Sequence, residues 1–588
     1  MSMKEREYTE LQYLLSLERS LRIIRNGERL SLEASIEELC KVLLIQIYLE
    51  RKSQRTLNDF VGHIVVMDDD NLGYYHELFK KYELDHSFRG WDYLKLKLST
   101  VMNVVDELSK VSLFKSEPAA RAKAFTEFLQ LHYSGYLSEY STPSVLNKYI
   151  MEVVNPQRIH SFADPCCGLG GFLVEATVRG CHSLEIKGYD INQRMANTAN
   201  LHLLMYGYAS CYVDCMDFTE DALVYNDGPY DAVVSHLPFK YRSFSIAGQR
   251  NDFQKRHFSN IQEDVLISQI LKMLKTHGVA ALVVSDDLLF SERRAESRKW
   301  LYQNARILNI TRFDGIAYND SSNLRSYNVI FLRKMEAPAT DVCSATLFKV
   351  GTSESEIEET AKSLSKAIHA EDIDVPKDEH FRYFRLMEEE AWNVNLIFAR
   401  EKMGWNYPTC RLNELMVHDR QRVRLDNGGN YKQLTVKSRG MGVVDRKVEY
   451  YGLQAEHNIR YAARSGQIIV SSQEAVNGAV GIVPKELNNA LVSSNYYLFT
   501  ITSPNIDPNY LVMVMCSEPL LKQLAFYKRG IVRPRVSIEN ILSLVIPLPN
   551  LEEQKKLVAN LRKKVKQVQM IQNDLEREQK EFSHKLFE

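Results

Sequence analysis

Ser161-Phe162-Ala163-Asp164-Pro165-Cys166-Cys167-Gly168-Leu169-Gly170-Gly171-Phe172-Leu173 is the stretch from which the fold is read. A short apolar approach ends in an acid-proline pair, turns on glycines, and runs into Phe172-Leu173-Val174-Glu175-Ala176, which has helical spacing. The stretch predicts strand, tight loop and helix. Glycines are needed in such a loop because a ligand must approach the backbone closely and because the turn visits positive φ. The helix that follows offers free amide donors to a polar ligand. A Gly-x-Gly turn also serves ordinary βα units, so its neighbours decide between the two readings.

About 20 residues beyond Gly170, Ile186-Lys187-Gly188-Tyr189-Asp190-Ile191-Asn192 reads as a strand ending in an acid, at the spacing where a carboxylate meets a ribose hydroxyl pair. Tyr212-Val213-Asp214-Cys215-Met216-Asp217-Phe218 gives a third strand end with a carboxylate. Asp164, Asp190 and Asp217 on successive strand ends describe a nucleoside pocket. A third glycine at the dinucleotide spacing and a Gly-Lys-Ser/Thr are both missing, which argues against NAD and ATP.

At these residues the chain resembles the modification subunits of type I restriction-modification systems, which are adenine-N6 DNA methyltransferases. Asp164-Pro165-Cys166-Cys167-Gly168-Leu169-Gly170-Gly171-Phe172-Leu173 is similar to their S-adenosylmethionine loop. Ser138-Glu139-Tyr140-Ser141-Thr142-Pro143 resembles the Gly-Glu-Phe-Tyr-Thr-Pro element that the family sets against the methionine end of the cofactor. The resemblance implies S-adenosylmethionine as cofactor, with Thr142, Pro143, Asp164, Gly168, Gly170, Asp190, Asn192, Asp217 and Phe218 as the residues that hold it. No metal is implied.

Adenine N6 is a poor nucleophile because its lone pair is delocalised into the ring. An enzyme that methylates it must flip the base, stack it on an aromatic, and accept hydrogen bonds from the amino group. In the resembling family Asn-Pro-Pro-Phe/Tyr does this after the fourth strand. Here the element reads His236-Leu237-Pro238-Phe239. Phe239 and Pro238 fit the pattern, Leu237 keeps a carbonyl, and His236 replaces the asparagine. A neutral imidazole accepts through one nitrogen; a protonated one only donates. Two outcomes stay open: His236 substitutes for the acceptor, or the domain binds cofactor and DNA without transferring methyl, as a defence or scaffold protein. Farther on, Gly278–Phe290 resembles the family's later strand and loop, where Asp286 and Asp287 read as capping residues.

The 588 residues are too many for one core. Residues 1–130 show amphipathic helical spacing, as in Ile36–Leu49 and Leu98–Leu108. Over 131–335, strand-like runs at 159–163, 185–190, 210–214, 230–235, 278–284, 306–313 and 327–333 alternate with helical ones and predict a parallel doubly wound sheet. Residues 336–404 carry acidic runs and read as a helical connector. From 405 to 550 the pattern is β-rich, and Ile546-Pro547-Leu548-Pro549-Asn550-Leu551-Glu552-Glu553-Gln554 leads into a helix over 551–588. This half resembles one target-recognition domain and the long helix of a type I specificity subunit, which has two such domains. The fold class expected is multidomain α/β: a helical N-terminal domain, a doubly wound methyltransferase-like Rossmann sheet, and an α+β target-recognition domain with a long C-terminal helix.

The net charge of −1 averages unlike halves. From residue 401 onward about 27 Lys/Arg stand against about 19 Asp/Glu, which leaves the earlier part acidic. In Tyr527-Lys528-Arg529-Gly530-Ile531-Val532-Arg533-Pro534-Arg535, the cations Lys528, Arg529, Arg533 and Arg535 are candidates for phosphate contact, and arginine can read guanine edges. Gln473, Glu474, Asn477, Tyr496 and Tyr497 are weaker candidates for base contact. Along the last helix Val558, Leu561, Val565, Val568, Leu575, Phe582 and Leu586 follow coiled-coil spacing, with Gln572 and Gln579 between them. The resemblance implies double-stranded DNA as partner, and the helix either lies along its own chain or pairs with a second copy, or with a specificity or restriction subunit. Nine cysteines without metal-ligand spacing predict reduced thiols, and the lack of any long apolar run predicts a cytoplasmic protein with no membrane segment.

Overall fold

The computed structural model describes residues 3–50, 55–66, 72–84, 87–111, 118–133, 142–180, 185–207, 212–219, 228–238, 261–317, 324–335, 342–369, 380–386, 392–395, 397–398, 406–423, 430–446, 450–451, 460–527 and 535–587. The chain divides into two compact units, Met1–Val394 and Asn395–Glu588.

The first unit begins with helices α1 (Met3–Glu28), α2 (Leu32–Tyr48), α3 (Leu57–Val66), α4 (Gly73–Lys81), α5 (Leu98–Ser109) and α6 (Pro118–His132). Their buried faces form one cluster around Leu17, Leu43, Trp91 and Phe125. The Ser31 side chain accepts from Ala34 N–H and so caps α2.

Next come α7 (Ser144–Val154), β1 (Ser161–Asp164), α8 (Gly171–Arg179), β2 (Glu185–Asp190), α9 (Gln193–Met205), β3 (Tyr212–Cys215) and β4 (Tyr230–His236). They are followed by α10 (Gln262–Met273), β5 (Leu274–Val284), α11 (Asp286–Phe290), α12 (Ala295–Asn304), β6 (Ala305–Ala317) and β7 (Leu324–Lys334). All seven strands read from the sequence are present. They join a nine-stranded sheet of order β3-β2-β1-β4-β5-β7-β6-β8-β9, in which β8 is Val342–Phe348 and β9 is Phe381–Arg385.

Two expectations are corrected. The sheet is mixed, not all parallel. β3, β2, β1, β4 and β5 run parallel, but β7 lies antiparallel to both β5 and β6. Only six residues separate β6 from β7, too few for the crossover that parallel pairing needs, so they pair antiparallel. The stretch read as a helical connector supplies β8, parallel to β6, then α13 (Glu354–His369), then β9. Ala361, Leu364 and Ile368 of α13 share one buried cluster with Tyr149 and Ile150 of α7 and with Val279, Ala281 and Val283, alternate residues of β5.

The helical region is fastened to this sheet through α9. Leu201, Leu204 and Met205 join its apolar cluster. Arg194 pairs with Glu33 at 3.0 Å and Glu37 at 2.9 Å, and the amides of Asn197 and Asn200 donate to the Arg89 and Ser87 carbonyls.

The second unit is strand-rich. Met416–His418, Tyr496–Ile501, Ile468–Ser471 and Val480–Ile482 form a four-stranded antiparallel sheet, and Gln421–Val423, Arg460–Ala463 and Ala490–Ser493 a three-stranded one. A terminal helix of 37 residues runs from Leu551 to Phe587. Gln554, fully buried, locks its first turn: its Nε2 donates to the Asn505 and Pro549 carbonyls and its Oε1 accepts from Asp507 N–H. That satisfaction of every polar group explains why a glutamine follows the Leu551-Glu552-Glu553 sequence. Val558 is buried, whereas Leu561, Leu575 and Phe582 are 50 %, 53 % and 64 % exposed. No helix among the described residues is long and apolar enough to cross a membrane.

Candidate functional site

A cleft partly open to solvent lies over the carboxyl end of β1. Thr142, Asn147, Asp164, Gly168, His202 and His236 are among its walls. Parallel strands feeding helices leave such a crevice beyond their carboxyl ends.

The loop after β1 is built as its glycines suggest. Gly168 has φ +53° and Gly170 φ +79°, and a Cβ on Gly170 would lie 3.0 Å from the Ala199 Cβ, so the loop can press onto α9 only with glycine there. α8 starts at Gly171 with its amides directed into the loop region. The loop is tied to β2 through Asp190, whose carboxylate accepts from Gly168 N–H at 2.9 Å and from Asn192 N–H at 2.8 Å. Asn192 then caps α9 by accepting from Arg194 N–H.

Asp164 is 1 % exposed and accepts from Cys166 N–H at 3.1 Å and Ser235 Oγ–H at 2.8 Å. Burial pushes its pKa up to about 7, against the pull of those two bonds and with help from the Asp190 charge. Burial also raises Asp190 and keeps Cys166 and Cys167 as thiols.

His236 ends β4. Its Nδ1 lies 3.0 Å from Thr142 Oγ1, and the edge of its ring meets Tyr327 at 5.9 Å. Desolvation holds its pKa down to about 4, so the ring is neutral at physiological pH. Leu237 is buried and its N–H donates to the Val283 carbonyl at 3.1 Å, which fixes the turn after β4 against β5.

Of the residues singled out in the sequence, Thr142, Asp164, Gly168 and His236 meet in the cleft, with Asp190 and Asn192 behind its glycine loop. Pro143 and Gly170 stand at the N-cap positions of α7 and α8. Asp217 is used differently: its Oδ1 accepts from Thr219 N–H and Thr219 Oγ1, closing a turn after β3. Phe218 is buried with its ring 5.3 Å from Tyr189. Pro238 follows Leu237, and Phe239 lies outside the described residues, as do Lys528, Arg529 and Arg533. Arg535 is exposed. In that second unit Asn477 donates to Glu474, and the amide nitrogen of Gln473 is buried with no hydrogen-bond partner among the described residues.

Sequence reasoning passed over three groups in or behind the cleft. Ser235 holds Asp164. His202, fully desolvated with its pKa down to about 4, bridges the Leu169 carbonyl and Thr126 Oγ1, and so joins the glycine loop to α6. Asn147 is the third. Its signal was an amide on the apolar face of α7.

Comparison with known proteins places these features in context. Residues 130–396 match the N-6 DNA Methylase family, and residues 419–579 match the Type I restriction modification DNA specificity domain. The chain is 22% identical over 259 residues to the Type I restriction enzyme EcoEI methylase subunit of Escherichia coli, covering 41% of this chain and 52% of that protein. It thus spans about half the length of that curated relative. In fold it is similar to a chain of a type I R-M system (TM-score 0.50, 16% identity, 64% of this chain and 88% of that one). It is also similar to a type I restriction-modification system methyltransferase subunit from Streptococcus thermophilus (TM-score 0.51, 14% identity, 66% and 98%).

Proposed function

We infer that this chain, a fused methyltransferase-specificity protein homologous to type I restriction-modification methylase subunits, methylates adenine N6 in duplex DNA with S-adenosylmethionine. The observation that carries the reading is a neutral His236 at the end of β4, bonded to Thr142 in the cleft that Asp164 and Gly168 also line.

The cleft suits an adenosyl amino acid: it offers a carboxyl at Asp164, a helix N-terminus at Gly171 and a second acid at Asp190 behind the glycine loop. When bound, the cofactor supplies an electrophilic methyl group. This chain's residues hold the amine that receives it. In this reading His236 Nδ1 donates to Thr142 Oγ1 and Nε2 accepts one amino hydrogen, with the Leu237 carbonyl as the second acceptor. Phe239 is the stacking partner that the sequence resemblance supplies. One specificity domain reads one half-site through cations such as Arg535, and the exposed Leu561, Leu575 and Phe582 of the terminal helix suit a second copy or a specificity subunit.

The test is transfer of tritiated methyl to unmethylated duplex DNA, with the digested product resolved by chromatography. Label in N6-methyladenine is expected. A protein that binds cofactor yet labels no DNA until His236 is changed to Asn is a silent binding domain, and the enzymatic reading then fails.

Asp164 gives a second expected result. Its folded pKa of about 7 stands above an unfolded value of ~3.9, so the fold holds an extra proton between those values and loses stability as pH rises through them. An ammonium placed beside Asp164 favours the carboxylate, so cofactor binding near pH 7 should release part of a proton. Calorimetric heats at pH 7 should then differ between buffers of high and low ionisation enthalpy. The difference should vanish in Asp164→Asn; equal heats for the wild type in both buffers count against the ammonium contact.

A further inference from the structure

α7 turns an apolar face inward through Leu146, Ile150, Met151, Val153 and Val154, and Asn147 sits on that face. Its side chain is buried, with the residue 7 % exposed, and its Oδ1 has no hydrogen-bond partner among the described residues. A buried acceptor left so calls for a partner that the described residues do not supply. Asn147 also lines the cleft, and its Nδ2 lies 2.7 Å from where a Cβ on Gly171 would stand. It therefore rests against the first residue of α8, at the positive end of that helix.

A carboxamide both donates and accepts, which matches a ligand end carrying a carboxylate and an ammonium together. In the reading above, the adenosine end belongs with Asp190. Asp190 belongs to β2, on one side of β1, whereas Asn147 shares its wall with Thr142 of the α7 start and Asp164 of β1.

The geometry points to Asn147 as the residue that selects the amino-acid end of the cofactor, its carboxamide pairing with the zwitterion where α8 begins. The assignment rests on the S-adenosylmethionine reading above and adds a discriminating residue to it. It also gives Gly171 a reason: any side chain there displaces the Asn147 amide.

Calorimetry on the full chain with S-adenosylhomocysteine and with 5′-methylthioadenosine, which keeps the adenosine and thioether but lacks the amino-acid group, tests it. Asn147→Leu should weaken S-adenosylhomocysteine about 10- to 100-fold, as expected for one or two lost polar contacts, and leave methylthioadenosine unchanged. Gly171→Ala should show the same selective loss, and the double variant should be no weaker than either. Should Asn147→Leu not fold, Asn147→Ser carries the same expectation. Equal losses for both ligands, or none for either, overturn the assignment. A wild type that binds neither overturns the cofactor reading itself, and a wild type that binds both equally well overturns only the role of Asn147.

Discussion

Asp190→Ala is expected to lower affinity for S-adenosylmethionine by at least about 100-fold, together with a fall in melting temperature. The carboxylate does two tasks at once. It accepts from Gly168 and Asn192 N–H, and so holds the loop after β1 against the end of β2 and the start of α9. It also remains the acid nearest a ribose in the proposed site. Hydrogen bonds to an ionised acceptor contribute ~1.5–3 kcal/mol each, so losing two of them frees the loop even before any ligand contact is counted. The main chain limits the damage, because Cys167 N–H donates to the Tyr189 carbonyl and Met216 N–H to that of Asp190. The variant should therefore fold, with its loop untethered. Asp190→Asn, which keeps one acceptor and the side-chain volume, should fall between the two. Calorimetry on folded protein separates the roles: a lower melting temperature with unchanged affinity removes Asp190 from the binding site and leaves it a loop tether.

The strands of the sheet's first half were legible because each is an apolar run ended by a carboxylate or a turn residue. β8 was not, because its inward residues include Ser344 and Thr346. Those hydroxyls read as solvated, yet Asn309 Nδ2 donates to them at 2.9 and 3.0 Å inside the sheet. β9 carries Arg382 between its aromatic residues and Arg385 at its end, the habit of an edge strand, which also reads as connector. Asp217 shows a different limit. An acid at a strand tip can face a ligand or close its own turn, and only the position of Thr219 two residues on decides. His236 was visible as a departure from a pattern. Its neutrality was not, since that depends on the desolvation of a ring held between Thr142 and Tyr327, far apart in sequence.

That neutrality makes His236 the position with the largest expected effect on turnover. His236→Ala should reduce the rate of methyl transfer by about 10²–10³-fold, the usual loss on deleting one positioned polar group at a reacting centre, with cofactor affinity unchanged. His236→Asn should keep at least about a tenth of the wild-type rate, because the amide oxygen replaces the imidazole acceptor. Thr142→Val removes the hydroxyl bonded to His236 Nδ1, so it should slow transfer while His236 stays in place. The pH dependence follows from the direction of the shift. With the imidazole pKa lowered to about 4, the accepting form persists through neutral pH, and protonation removes the acceptor only as pH falls towards that value. The His236 contribution to the rate should thus be flat above about pH 5. A rate that declines as pH falls through ~6.5, the ordinary histidine value, and that loses this step in His236→Asn, means that the ring titrates as if solvated, and the proposed acceptor geometry is then wrong.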